Sequence, residues 1–291
     1  MASDRARAMR AADAVGAART FLFVPASRPE LFRKAHAAGA DVVILDLEDA
    51  VAPSDKGEAL RAVEEWLTRA DAGVDGALTM VRINAHGTRW HGTEVRAMRG
   101  GGAAIMVPKA DSASRLASLH RELSAPLVPL IETPRGVVNS ESIAAADGVS
   151  RLALGHMDLA VALGVDPDCR DAFRHTRSQL VLASAASGLA SPVDGVTASI
   201  DDTAQLADDV AHALALGLGA KLCIHPRQIG AVHDALRPSP DESAWATKVL
   251  EMIEAQGVDD DGGAVALDGK MIDPPVIARA RAIVARVYGT V

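Results

Sequence analysis

The 291-residue chain carries 30 Lys plus Arg against 38 Asp plus Glu, a formal charge of −8. A chain this acidic lacks the positive surface that phosphate backbones require, which argues against a general nucleic-acid binder. Hydrophobic residues at 49% and charged residues at 23% fit a soluble globular enzyme. Aromatics at 3% leave a core of Ala, Val, Leu and Ile and few platforms for stacking bases or sugars.

Residues 1–19 are Arg- and Ala-rich without the apolar run of a secretory signal, and Asp4 and Asp13 break the acid-poor pattern of a transit peptide. They are expected to form a flexible lead-in to the first strand. No apolar run approaches the ~18–20 residues that a membrane span needs, so no membrane partner is expected and the expected location is the cytoplasm. Cys169 and Cys223 are too few for a disulfide framework and are expected to be packed thiols in a reducing compartment.

From residue 20 onward, short apolar runs alternate with helical patterns. The runs are 20–25 (TFLFVP), 42–47 (VVILDL), 78–83 (LTMVRI), 103–107 (AAIMV), 126–131 (PLVPLI), 151–155 (RLALG), 191–196 (SPVDGV) and 220–224 (AKLCI). They recur roughly every 29 residues, the size of one strand, one helix and two short loops. Continuous Val, Ile and Leu runs are what parallel strands buried on both faces require. Between them, 29–38, 54–70, 111–123 and 201–216 read as helices, and 201–216 starts on acids and stops at Gly217. Eight such units close most economically into a (β/α)8 TIM barrel. An open doubly wound sheet is the alternative, although no GxGxxG turn follows the first strand.

The barrel is expected to occupy 20–238, and residues 239–291 to form a helical C-terminal extension, either a decoration on the barrel or an arm reaching elsewhere. Within the extension, 241–256 and 275–288 have helical patterns, 264–273 reads as extended, and 257–263 (GVDDDGG) is a turn-rich break. The acids at 259–261 lack the spacing and distal Glu of a calcium loop and are expected to be solvated.

Reactive groups in such barrels lie at the C-terminal strand ends. Those ends carry Asp46, Glu48 and Asp49 after the second run, Arg82 and Asn84 after the third, Lys109 after the fourth, and Glu132 after the fifth. His156 and Asp158 follow the sixth, Asp194 the seventh and His225 the eighth. Glu132 and Asp158, from adjacent strands, can chelate one cation, and two carboxylates completed by waters suit Mg²⁺. No His or Cys spacing supports zinc. The alternative is that some of these acids cap helices or make barrel ion pairs. Arg82 suits an anionic substrate, because its planar fork binds carboxylate and stabilises a developing oxyanion; a structural ion pair with Asp46 or Glu48 is its alternative. A Schiff-base role for Lys109 needs a depressed pKa in an apolar pocket, and the surrounding acids argue for charge balance instead. His225 is expected to be a hydrogen-bonded structural histidine.

The stretch TFLFVPASRPELFRKAHAAGADVVILDLEDAVAPSDK, followed by VRINAHGTRW, IMVPKAD, PLIETPRGV, LALGHMDLAVALG, SPVDGV, AKLCIHPRQI and LDGKMIDPPVIARA, resembles the citrate lyase β-subunit-like branch of the HpcH/HpaI aldolase family. The resemblance runs from about residue 20 to the C-terminus. It implies a Mg²⁺-dependent TIM barrel that cleaves a β-hydroxyacyl-CoA of the citryl-, malyl- or citramalyl-CoA type into acetyl-CoA, or a homologue, and a 2-keto acid. It further implies Glu132 and Asp158 as metal ligands and Arg82 as the substrate arginine. Asp46, Glu48 and Asp49 stand around them, and Arg28 and Lys34 meet the CoA phosphates. The resemblance also implies that Asp273 in the GKMID segment crosses from a neighbouring subunit as acid/base, which would make 239–291 an inter-subunit lid within a homotrimer or a hexamer. Three positions depart from the family pattern: Ala162 stands for a second Asp, Ala26 for a common Gly, and His156 is a bulky neighbour of Asp158. The alternatives are a CoA-independent 2-keto acid aldolase, a malyl-CoA thioesterase, a citrate lyase β subunit of a larger complex, or an assembly partner without turnover.

Overall fold

The computed structural model describes residues 2–69, 77–256, 265–267 and 270–288. The chain divides into two compact units, residues 1–236 and 237–291.

In the first unit, helix α1 (Ala2–Ala17) precedes eight strands and their helices. In order these are β1 (Thr20–Pro25), α2 (Phe32–His36), β2 (Val42–Asp46), α3 (Lys56–Thr68), β3 (Leu78–Arg82), α4 (His91–Met98), β4 (Ala104–Val107), α5 (Ala113–Leu123) and β5 (Leu127–Ile131). Then follow α6 (Pro134–Val138), α7 (Ser140–Ala144), β6 (Ala153–Leu154), α8 (His156–Leu163), α9 (Arg170–Ala186), β7 (Val193–Asp194), α10 (Thr203–Ala215), β8 (Ala220–Cys223) and α11 (Arg227–Leu236). All neighbouring strands pair in parallel, and β1 pairs with β8, which closes the TIM barrel.

Strand side chains alternate between two apolar compartments, as the two-residue period demands. One set, including Val43, Leu45 and Val81, faces the surrounding helices. The other, including Val42, Ile44, Met80, Val128 and Leu130, fills the barrel. Continuing the inward set by two residues from Ile44, Met80 and Leu130 gives Asp46, Arg82 and Glu132, all buried. The inward stripe therefore turns charged at the C-terminal mouth.

Residues 2–17 are helical, in place of the flexible lead-in expected for 1–19. Val15 and Ala18 are buried with the inward barrel residues. Arg151, itself buried, donates from Nη1 to the carbonyls of Val15 and Gly16 at 2.9 and 3.1 Å. Unpaired carbonyls at a helix C-terminus carry partial negative charge, so a guanidinium is a suitable anchor. Of the two thiols, Cys223 is packed as expected, and burial pushes its pKa up to about 12, whereas Cys169, against expectation, is exposed before α9.

The second unit contains α12 (Pro240–Gln256), the antiparallel strands β9 (Val265–Leu267) and β10 (Lys270–Ile272), and α13 (Pro274–Tyr288). It has its own apolar cluster, with Ala246, Val249 and Ile253 of α12 against Ile277, Ala280 and Ile283 of α13. Asp273 accepts the Val276 N–H at 3.2 Å and so caps α13. The acidic break at 257–263 lies outside the described residues.

Candidate active site

A cavity of about 420 Å³ opens at the barrel mouth and is lined by Asp46, Arg82, Glu132, His156 and Asp158 among others. Its charged groups come from the ends of different strands. Asp46 and Arg82 are register partners on β2 and β3, so both project inward at the same level. They form a fork: Nε and Nη2 of Arg82 each lie 2.6 Å from an Asp46 oxygen. Nη1 reaches Glu48 at 3.2 Å and Asp49 at 3.4 Å. Burial opposes the charge of Arg82, but these three acids outweigh it and keep the guanidinium protonated. The ion pair weighed for Arg82 is thus formed, and the guanidinium that these carboxylates hold in place also lines the cavity.

Glu132 follows β5. Its Oε1 accepts the backbone N–H of Lys109 at 2.7 Å. Lys109 itself has φ +51°, a left-handed conformation uncommon for a residue with a side chain. Its ammonium bridges Glu48 at 3.0 Å and Asp158 at 3.2 Å. Burial again works against this charge, and the hydrogen bond and charge of Glu48, with Glu132 and Asp49 behind, hold the ammonium above its usual range. An amine held protonated cannot attack a carbonyl, so Lys109 balances charge and does not form a Schiff base.

The carboxylates are under electrostatic strain. Burial first, then the charges of Glu48 and Asp158, push Glu132 up to about 8 despite the pull of Lys109. Burial also raises Glu48, with Asp49 adding to it and Arg82 opposing. Glu48 Oε2 is buried, and the ion pair with Arg82 Nη1 at 3.2 Å is not aligned as a hydrogen bond. Five carboxylates, at Asp46, Glu48, Asp49, Glu132 and Asp158, face two cationic side chains, Arg82 and Lys109. The donor set fits a further hard cation. A Cβ on Gly155 would stand 2.6 Å from Glu132 Oε2, so the glycine keeps that oxygen clear on the β6 side. Among the described residues no three His, Cys, Asp or Glu side chains form a ready-made metal cluster. Two carboxylates completed by waters are the set that suits Mg²⁺ and fails zinc.

Other expected residues stand elsewhere. Arg28 is exposed beside β1 and pairs with Glu30, and Lys34 is exposed on α2. His225 is half-buried, and its Nδ1 accepts the Arg227 N–H at 3.2 Å. Asp194 is not at the rim but buried between Arg177 and Lys221. Asp273 belongs to the second unit.

One network escaped the sequence reading. Lys56 is buried and donates to the carbonyls of Leu47 and Glu48 at 2.7 and 2.8 Å and to Asn84 Oδ1 at 2.8 Å. Glu94 in turn accepts both Asn84 N–H and Asn84 Nδ2, each at 2.6 Å. This clamp fixes the backbone that carries Glu48. Its signal was the helical period, since Lys56 shares a face with buried Ala59, Leu60, Val63 and Trp66.

The family model for HpcH/HpaI aldolase/citrate lyase matches residues 19–226. The chain belongs to the HpcH/HpaI aldolase/citrate lyase family. A citrate lyase subunit beta-like protein of Mycobacterium tuberculosis is 40% identical over 273 residues, covering 91% of this chain and 94% of the relative. A (3S)-malyl-CoA thioesterase of Cereibacter sphaeroides is 34% identical, covering 92% and 94%. The crystal structure of the M. tuberculosis protein CitE in complex with magnesium, acetoacetate and coenzyme A superposes with a TM-score of 0.80 at 38% identity, covering 93% of this chain and 98% of that one. As a member of this family the chain is a lyase, built on a closed eight-stranded barrel. Among the described residues no helix is long and apolar enough to cross a membrane.

Proposed function

We propose that the chain is a Mg²⁺-dependent CoA-ester lyase that splits a β-hydroxyacyl-CoA into acetyl-CoA, or a homologue, and a 2-keto acid. The observation that carries this is the excess of carboxylates around Glu132 beside a fixed guanidinium in one cavity. Glu132 and Asp158 are the residues that would hold Mg²⁺, which when bound supplies a Lewis acid for the oxygens of the acid half. The relative with magnesium, acetoacetate and coenzyme A supports both cofactor and substrate class.

In the reaction the carboxylate of Asp273, as acid/base, takes the proton of the substrate hydroxyl. The C–C bond breaks to leave the carbonyl of the 2-keto acid, and the bond's electron pair passes to the thioester as an enolate, to whose carbon the same proton is returned. Arg82, held by Asp46, stabilises the negative oxygen that develops. Lys109 keeps Glu48 and Asp158 from repelling each other. Asp273, supplied by a neighbouring subunit of a homotrimer or hexamer, protonates the enolate carbon. Arg28 and Lys34, both exposed and cationic, meet the CoA phosphates.

Incubating the purified protein with Mg²⁺ and malyl-, citramalyl- or citryl-CoA, with chromatography of the products, tests this. Acetyl-CoA with a 2-keto acid, or propionyl-CoA from a homologous substrate, is the expected result. Free CoA with a hydroxy acid would establish instead the thioesterase reading, which the Cereibacter sphaeroides relative favours. Cleavage of free hydroxy-keto acids alone would establish a CoA-independent aldolase.

A further inference from the structure

One aromatic ring at the cavity takes no part in the chemistry above. His156 opens α8 two residues before Asp158 and is only 7% exposed, yet it lines the cavity. Its ring meets Phe173 of α9 edge-on, with centroids 5.7 Å apart. Its other flank faces Gly195, just after β7. A Cβ on Gly195 would lie 2.1 Å from Nδ1 and 2.8 Å from Cε1, so a glycine is needed for the ring to lie where it does. Nδ1 is buried without a hydrogen-bond partner, so packing rather than hydrogen bonding fixes that side of the ring.

The ring is therefore fixed on two sides and forms cavity wall on another. Leu154 and Val196, which flank His156 and Gly195 in sequence, line the same cavity. The carboxylates and Arg82 that would bind the polar end of an acid are mostly contributed by β2, β3 and β5. Among the described residues on the side of β6 and β7, Asp158 supplies the one charged group that lines the cavity, and Leu154, His156 and Val196 beside it form a wall. A ring confined between Phe173 and Gly195 has little room to rotate away from a longer ligand.

Resting on the lyase function proposed above, we infer that His156 is a specificity-determining residue that restricts the site to 2-keto acids with a hydrogen or methyl substituent. A pocket wall typically discriminates one methylene by about 10–200-fold. The structural alternative, a histidine that merely fills space, makes a different prediction: its removal lowers stability and weakens all acids alike.

Calorimetric titration of the full-length protein in Mg²⁺ with glyoxylate, pyruvate, 2-ketobutyrate and 2-ketovalerate reads selectivity without turnover. The parent is expected to lose at least ~10-fold in affinity between pyruvate and 2-ketobutyrate, and His156→Ala to reduce that ratio to about twofold or less. If His156→Ala melts too low to titrate, His156→Asn, which shortens the side chain and keeps a polar atom, supplies the ratio. Gly195→Ala is expected to push the ring inward and weaken every acid, and adding His156→Ala to it should recover the affinities of His156→Ala alone. A pyruvate-to-2-ketobutyrate ratio that stays at the parental value in the His156 variants overturns the inference while leaving the lyase function intact. Failure of the parent to bind any of the four acids overturns both.

Discussion

The backbone N–H of Lys109 donates to Glu132 Oε1 at 2.7 Å from a left-handed conformation, φ +51°. The same residue sends its ammonium to Glu48 and Asp158. One strained position thus orients one proposed metal ligand through the main chain and neutralises another through the side chain. Uncommon backbone conformations of this kind persist where the surroundings enforce them, and they concentrate at functional sites.

The metal assignment has a consequence for stability that needs no substrate. A ligand that binds only the folded protein stabilises it by about 2.7 kcal/mol at one hundred times its dissociation constant. Mg²⁺ is expected to raise the melting temperature of the parent. Glu132→Gln and Asp158→Asn should remove that rise while leaving the barrel folded, as circular dichroism would report. A variant that retains the full Mg²⁺ shift would remove its residue from the ligand set.

Arg82→Lys keeps a charge but discards the planar fork that meets both Asp46 oxygens at 2.6 Å. A lysine cannot satisfy Asp46 and face the cavity in the same geometry. The loss in kcat/KM is expected to be ~10²-fold or more, the scale for one lost oxyanion donor. Steady-state kinetics check this, and parental activity would reduce Arg82 to its ion pair with Asp46.

The barrel was legible because its strands obey a simple period. The expected 20–25 coincides with β1, and the expected 42–47 and 220–224 exceed β2 and β8 by one residue. Glu132, Asp158 and Arg82 could be picked because the strand ends locate the mouth. What was not legible depends on partners distant in sequence. Arg151 and the carbonyls of Val15 and Gly16 are separated by more than a hundred residues, so nothing local marks residues 2–17 as an ordered helix. Buried Ala11, Val15 and Ala18 do follow helical spacing, but alanine contributes little to an apolar stripe. The saturation of Arg82 by Asp46 likewise requires the β2–β3 register, which a list of strand ends does not contain.

Asp194 supplies a pH-dependent test away from the proposed chemistry. It is buried between Arg177 Nε at 2.8 Å and Lys221 Nζ at 3.0 Å. Burial alone would raise its pKa, but Lys221 and Arg177 outweigh that and hold it below the ordinary 3.8. The unfolded chain therefore takes up this proton first as the pH falls. The stabilisation is complete above the unfolded value and is lost as the pH drops through the folded one. Asp194→Asn is expected to cost about 3–5 kcal/mol at neutral pH, because two buried cations lose their partner. It should also flatten the acid limb of stability below about pH 4. Urea unfolding from pH 7 to pH 3 measures both, and an acid limb as steep as that of the parent would show that other carboxylates dominate it.

Asp273 carries the proposal that distinguishes a CoA-ester lyase from an aldolase of free acids. Its carboxylate caps α13 through the Val276 N–H. Asparagine caps a helix about as well as aspartate, so Asp273→Asn removes the acid and preserves the cap. The melting temperature should remain parental while turnover falls by roughly 10²–10⁴, the usual contribution of a general acid. Mixed oligomers of Asp273→Asn and Glu132→Ala subunits should regain part of the activity. In such a mixture some sites combine an intact Glu132 from one chain with an intact Asp273 from another. Mixed oligomers that form, as native mass spectrometry would show, and yet give no rescue would place the acid in the same chain as its site or outside the reaction. Full activity of Asp273→Asn alone would leave the carboxylate with its capping role and favour the CoA-independent aldolase.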